Sequence, residues 1–228
     1  MAASTRDDPG AYVVSFSGNG TLHGVIKLGR FSPYQLVVFP SGRFLVSGTQ
    51  GPQHTVPITA IFESSGKQLK TIYEPEDEEF RKKAAGHDSD YFSVELNYDN
   101  RAVWEGDAAL GSDGNAYLLR AVSPALIYVI SPEGEVLRKL HVESPEFGLR
   151  PRSLKAAPGR LAIAFTQEHW TMGFTRVVDL RGNVIATYSA DDKTIYPGLP
   201  GCYTPPTFRY VFAEDGNGKV SLQEAKPE

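Results

Sequence analysis

The chain has little with which to do covalent or metal chemistry. Its one cysteine, Cys202, rules out an internal disulfide and any zinc or iron–sulfur site built from cysteines; a buried structural thiol is expected there. No apolar run approaches the roughly 18 residues that a bilayer-crossing helix needs, and "MAASTRDDPGAYVV" lacks the apolar stretch of a secretory signal. The composition is that of a soluble chain, equally compatible with the exported part of a longer precursor. Basic residues are outnumbered, 23 Lys and Arg against 27 Asp and Glu for a net charge of −4. The only basic run is "RKK" at 81–83, so electrostatics gives no drive toward nucleic acid or an anionic membrane. Local catalytic signatures are missing as well: there is no G-x-S-x-G elbow, no H-E-x-x-H pair and no glycine-rich phosphate loop leading into a helix. "EDGNGK" at 214–219 lacks the downstream oxygens and sixth-position glycine of a calcium loop, and a hairpin turn accounts for it. No cofactor and no metal is expected.

What the chain does have is glycine, 22 of them, placed as punctuation. "VISPEGEVLRKL", Val129 to Leu140, is an apolar strand, a tight glycine turn and a second strand. The same phrase returns as "VSFSGNGTLHGVIKL", "AIFESSGKQLKTI" and "VVDLRGNVIATY". These outer hairpins, around Gly20, Gly66, Gly134 and Gly182, alternate with an inner series around Gly42, Gly114, Gly159 and the pair Gly216 and Gly218. From inner glycine to following outer glycine the spacing is 24 residues (42 to 66), 20 (114 to 134) and 23 (159 to 182), the regularity of one structural unit copied several times. The inner runs, such as "LAIAF" at 161–165, are nearly continuous in apolar character, as strands covered on both faces must be.

Four-stranded antiparallel units of this size in tandem predict an all-β chain and a β-propeller. Sandwiches of the immunoglobulin type need about 100 residues each, and the spacing rejects them. "SPEGEVLRKL" and "GSDGNAYLL" resemble the strand phrases of the NHL-type and six-bladed β-propeller superfamily of bacteria, over nearly the whole chain outside 74–101. That resemblance implies blade architecture; its members include lactonases, lyases, sensors and pure binding modules. One propeller domain over 1–228 is expected, with full blades at 33–73, 102–142 and 150–189. The chain opens on an outer hairpin, 11–29, and closes on an inner one, 207–226. Two such halves can complete one sheet, giving four blades with a composite closing blade; the alternative is a piece of a six- to eight-bladed ring.

Both glycine series fall at one end of the blades. The long connections therefore fall at the other: "VSGTQGPQHTVP", the insert 74–101, "HVESPEFGLRPRS", "TQEHWTMGF" and "SADDKTIYPGLPGCYTPP". The insert predicts a short helix near 76–85, acidic at its start and basic at its end, while His87, Asp88 and Asp90 read as a polar loop rather than a metal site. Loops on a rigid scaffold are where binding concentrates. Trp104, Arg152, His169 and Trp170 combine stacking or hydrogen-bonding chemistry with positions at that end, and they are the expected ligand-binding residues. Asp107 and Arg150 start or adjoin the same inner strands. The expected function is a non-catalytic scaffold that binds an unidentified protein or small-molecule ligand on the loop-bearing face. The alternative is a lactonase- or lyase-like hydrolase whose site gathers around the central axis, an arrangement that leaves no local motif.

Overall fold

The computed structural model describes residues 11–29, 31–50, 56–72, 107–121, 124–166, 173–190, 210–214 and 220–224. They form sixteen strands and, among the described residues, no helix. The helix expected near 76–85 lies outside them. Three four-stranded antiparallel sheets run in simple meander order. The first holds β3 (Phe31–Val38), β4 (Phe44–Gln50), β5 (Val56–Phe62) and β6 (Gln68–Ile72). The second holds β7 (Ala108–Leu110), β8 (Ala116–Arg120), β9 (Ala125–Ile130) and β10 (Val136–Val142). The third holds β11 (Arg150–Ala157), β12 (Arg160–Thr166), β13 (Gly173–Asp179) and β14 (Val184–Ala190). Each is a four-stranded antiparallel unit of the kind expected from the glycine spacing. At the ends of the chain stand β1 (Tyr12–Phe16) with β2 (Leu22–Lys27), and β15 (Tyr210–Glu214) with β16 (Val220–Glu224). In place of the single sheet expected from 11–29 and 207–226, these two hairpins are separate two-stranded sheets with no ladder between them among the described residues. A hairpin ladder closes on itself through its own short turn. Joining β16 to β1 has no such local help, because nearly the whole chain lies between them.

One turn chemistry recurs along the chain. At Ser17–Thr21, Phe39–Arg43, Glu63–Lys67, Gly111–Asn115 and Asp179–Asn183 the first residue's N–H donates to the carbonyl of the fifth, and the fourth residue's N–H returns to the carbonyl of the first. That fourth residue is always glycine. At Gly114 the backbone sits at φ +80°, which closes the turn with the twist its strands require and strains any residue bearing a Cβ. Asp113 and Asp179 brace their turns by accepting hydrogen bonds from Asn115 and Asn183. For Asp113, burial pushes the carboxyl up, but the bonds from Asn115 and Tyr117 outweigh it and hold it below the usual carboxylate value; Asp179 is held low chiefly by Asn183. A carboxyl depressed in the fold binds its proton more readily in the unfolded chain. Its contribution is therefore complete above the ordinary carboxylate range and is lost as pH falls below about 4. The melting temperature should drop more steeply between neutral pH and about pH 3 for the natural chain than for a double variant carrying Asp113→Asn and Asp179→Asn.

Two compact units divide the chain. In the first, β1–β2 packs on the sheet β3–β6 through Val13, Ile26 and Leu28 against Phe44, Val46, Ala60 and Phe62. Phe62 stacks on Phe44 at 5.4 Å and meets Phe31 edge-on at 6.1 Å. Residues 132–135 also belong to this unit, where Glu133 pairs with Arg43 and Glu135 with Lys70. The second unit has the largest core: Tyr117, Leu119, Ile127 and Leu140 of the sheet β7–β10 pack against Leu154, Leu161, Ile163 and Phe165 of the sheet β11–β14.

Candidate functional site

The third blade defines the loop-bearing end most completely. Its ladders set Arg150 opposite Thr166, Thr166 opposite Gly173, and Gly173 opposite Ala190. Those four residues close one end of the sheet, and the turns at 157–160 and 179–183 close the other. The connection 143–149 into β11 and the segment 167–172 between β12 and β13 thus attach at the same end. His169 and Trp170, in that segment, and Trp104 lie outside the described residues.

Arg152 is described, and its position has a local cause. The β11 register slips between Pro151 and Ser153, making Arg152 the extra residue of a bulge. Strand β3 has the same slip between Pro33 and Gln35, with Tyr34 in Arg152's place. Proline has no N–H to give a ladder, so it is tolerated here because β3 and β11 are each the edge strand of their sheet. A bulge re-aims its side chain. The half-buried Arg152 and the exposed Arg150 accordingly stand together where the loop meets the strand.

The loop 143–149 supplies what the sequence pattern missed. Residues 143–150 line a shallow hollow of about 500 Å³. Phe147 is fully exposed. The loop is tied down: Arg176 of β13 donates to the Glu143 carbonyl, and Ser144 Oγ donates to the Glu146 carbonyl at 2.6 Å. An aromatic ring in water, carried on a braced loop and flanked by Glu143, Glu146, Arg150 and Arg152, combines an apolar anchor with charge of both signs. "SPEFG" held a faint signal for it, since a phenylalanine between proline and glycine belongs to neither strand period.

Asp107 and the charged groups of the turn end hold the scaffold together. Asp107, just before β7, accepts from its neighbour Ala108 N–H at 2.9 Å, from Leu154 N–H at 3.1 Å and from Lys155 Nζ at 3.2 Å. It satisfies an edge amide of β11 and ties the inner strands of two blades together; it is a clasp, not a ligand contact. Replacing it with alanine strips a charge-assisted acceptor from a mostly buried N–H, and should cost about 2 kcal/mol in denaturant unfolding, with Asp107→Asn intermediate. At the turn end, Tyr117 OH donates to Asp113 Oδ2 at 2.9 Å, and Arg138 donates to the Leu180 carbonyl at 3.0 Å. Burial, and then the bond to Asp113, push the Tyr117 hydroxyl well above its ordinary value. It stays protonated as a structural donor. No group of three metal-ligating side chains occurs among the described residues. Nor is any helix among them long and apolar enough to cross a membrane.

No family model matches the chain, and no curated protein matches it. Solved structures do. The hydrazine synthase of Kuenenia stuttgartiensis superposes over 94% of the chain with a TM-score of 0.52 at 15% identity. The Dos1 propeller superposes over 98% with a TM-score of 0.53 at 10% identity. The chain spans 60% and 55% of those two proteins' lengths, less than two thirds of either. At such identities the likeness is one of fold.

Proposed function

With the β-propeller fold as its scaffold, we propose that this chain is a non-catalytic binding module of the NHL-type or six-bladed superfamily kind, which holds a protein or small-molecule ligand at the loop-bearing end of its blades. The supporting observation is Phe147, an aromatic side chain left in water on a loop that Arg176 and Ser144 hold in place. A braced aromatic loses little freedom on binding, so most of the area it buries counts toward affinity. Arg150 and Arg152 supply cationic forks suited to a carboxylate beside that apolar contact. His169 and Trp170 are proposed to add to that surface, since β12 ends and β13 begins at the same end of their sheet; Trp104 is proposed as a binding residue from its place in the sequence alone.

The test is a thermal-shift screen of the intact chain against hexoses, hydroxy acids and short peptides with an aromatic residue and a free carboxylate. A binder at about 100 times its dissociation constant adds about 2.7 kcal/mol to stability. Phe147→Ala and Arg152→Ala should each weaken a true binder at least about tenfold and leave the unliganded melting temperature within a few degrees. Binders indifferent to both substitutions would overturn the proposal.

A further inference from the structure

Asn19 lies exposed at the tip of the hairpin β1–β2, followed by the one residue type with no side chain to shield its backbone nitrogen. In the turn Ser17–Thr21 the Asn19 carboxamide oxygen, Oδ1, accepts a hydrogen bond from Ser17 Oγ and another from Thr21 N–H at 3.2 Å. Two donors on a carbonyl oxygen draw electrons from its carbon, here Cγ, and stabilise the negative charge that an attacking nucleophile places on that oxygen. The nearest such nucleophile is the nitrogen of Gly20, which is tied to Asn19 by the chain itself, so that attack is intramolecular. The other asparagines among the described residues are held differently. Asn115 and Asn183 are engaged through Nδ2, which donates to Asp113 at 2.9 Å and to Asp179 at 2.8 Å, and they are followed by Ala116 and Val184, each of which carries a Cβ.

We propose that the turn Ser17–Thr21 is a self-modification site at which Asn19 is converted to an acid, with Ser17 and Thr21 assisting. Gly20 N bonds to Asn19 Cγ and gives up its proton, the Cγ–Nδ2 bond breaks, and ammonia leaves; water then opens the cyclic imide. The sum is amide plus water to acid plus ammonia, so no further reactant is needed. Gly20 N–H donates to the Ser17 carbonyl at 2.9 Å, and the reaction therefore waits on the opening of that one bond at the exposed tip. The turn Gly111–Asn115 shows the aspartate product in place. Its third residue is Asp113, whose Oδ1 accepts from Asn115 N–H at 3.2 Å just as Asn19 Oδ1 accepts from Thr21 N–H. A carboxylate is the stronger acceptor of the two, so the hairpin closes over the aspartate as well as over the asparagine. The change adds one negative charge to a chain whose net charge is −4.

Incubation of the intact, folded chain at mildly alkaline pH, followed by peptide mapping, tests the proposal. Asn217, also followed by glycine, lies outside the described residues, and its peptide is scored separately. Asn19 should convert at least about tenfold faster than Asn115 and Asn183. Ser17→Ala, which takes one donor from Oδ1 and keeps the backbone bonds of the turn, should slow the conversion of Asn19 at least about threefold. A chain carrying Asn19→Asp should melt no lower than the natural chain at neutral pH. Asn19 that survives in the folded chain while it converts in urea overturns the proposal, as does conversion no faster than that of Asn115 or Asn183. Conversion that Ser17→Ala leaves unchanged or accelerates also overturns it, because the turn would then give no assistance. A lower melting temperature for Asn19→Asp would show that the turn rejects the product, and it counts against the proposal in the same way.

Discussion

Replacing Gly48 with alanine lowers stability by more than about 3 kcal/mol, the largest effect expected of any single methyl in the described part of this chain. A Cβ built at Gly48 lies 2.0 Å from the Ser32 carbonyl oxygen and 3.0 Å from Pro33 Cα. Both are backbone atoms, so no rotamer change relieves the overlap. The cause is the bulge in β3: Gly48 pairs with Pro33, where the slipped register and the missing N–H bring the two strands unusually close. Gly24 is the control. There the nearest atom to an added Cβ is Ser15 Oγ at 3.8 Å, and Gly24→Ala should shift stability by less than about 1 kcal/mol. Denaturant unfolding of both variants checks the pair. Equal midpoints would mean that β3 does not approach β4 as described.

Leu154→Ala is expected to cost about 3 to 4 kcal/mol. The side chain is fully buried between the two sheets of the second unit, among Tyr117, Leu119, Leu161 and Ile163. Truncation there removes most of an aliphatic side chain from a packed interior and leaves a cavity whose walls are strands pinned by their own ladders. The neighbouring Asp107 clasp restricts relaxation of β11 into the gap. Because the two sheets share this core, the loss should appear as one cooperative shift of the unfolding midpoint.

The three full sheets were legible because one local signal repeats: glycine closes their hairpin turns, and at 39–43, 63–67, 111–115 and 179–183 a five-residue turn with glycine fourth makes the same pair of hydrogen bonds. The expected strand pairing of 11–29 with 207–226 was not. Both hairpins were read correctly, but turn residues specify only the ladder next to them, and which hairpin joins which is left to packing. Arg152 was legible as a residue at the start of an inner strand. Its bulge was marked by Pro151, yet only the matching Pro33 in β3 shows this to be a repeated device. Asp107 drew attention as a loop-end carboxylate, and only its distances to Leu154 N–H and Lys155 reveal that it is spent on holding strands together. Phe147 was the real gap. A solvent-exposed aromatic outside any strand leaves no periodicity to detect, so its significance lies in an exposure that the sequence does not display.

Binding at the loop-bearing end is most directly tested by amide hydrogen exchange on the intact chain, with and without the strongest binder from the thermal-shift panel. Slowed exchange is expected in 143–152, across the loop that carries Phe147 and the bulge that carries Arg152, with the glycine turns at 111–115, 157–160 and 179–183 unchanged. Slowing confined to those turns, with 143–152 unaffected, would place the ligand at the other end of the blades and contradict the account.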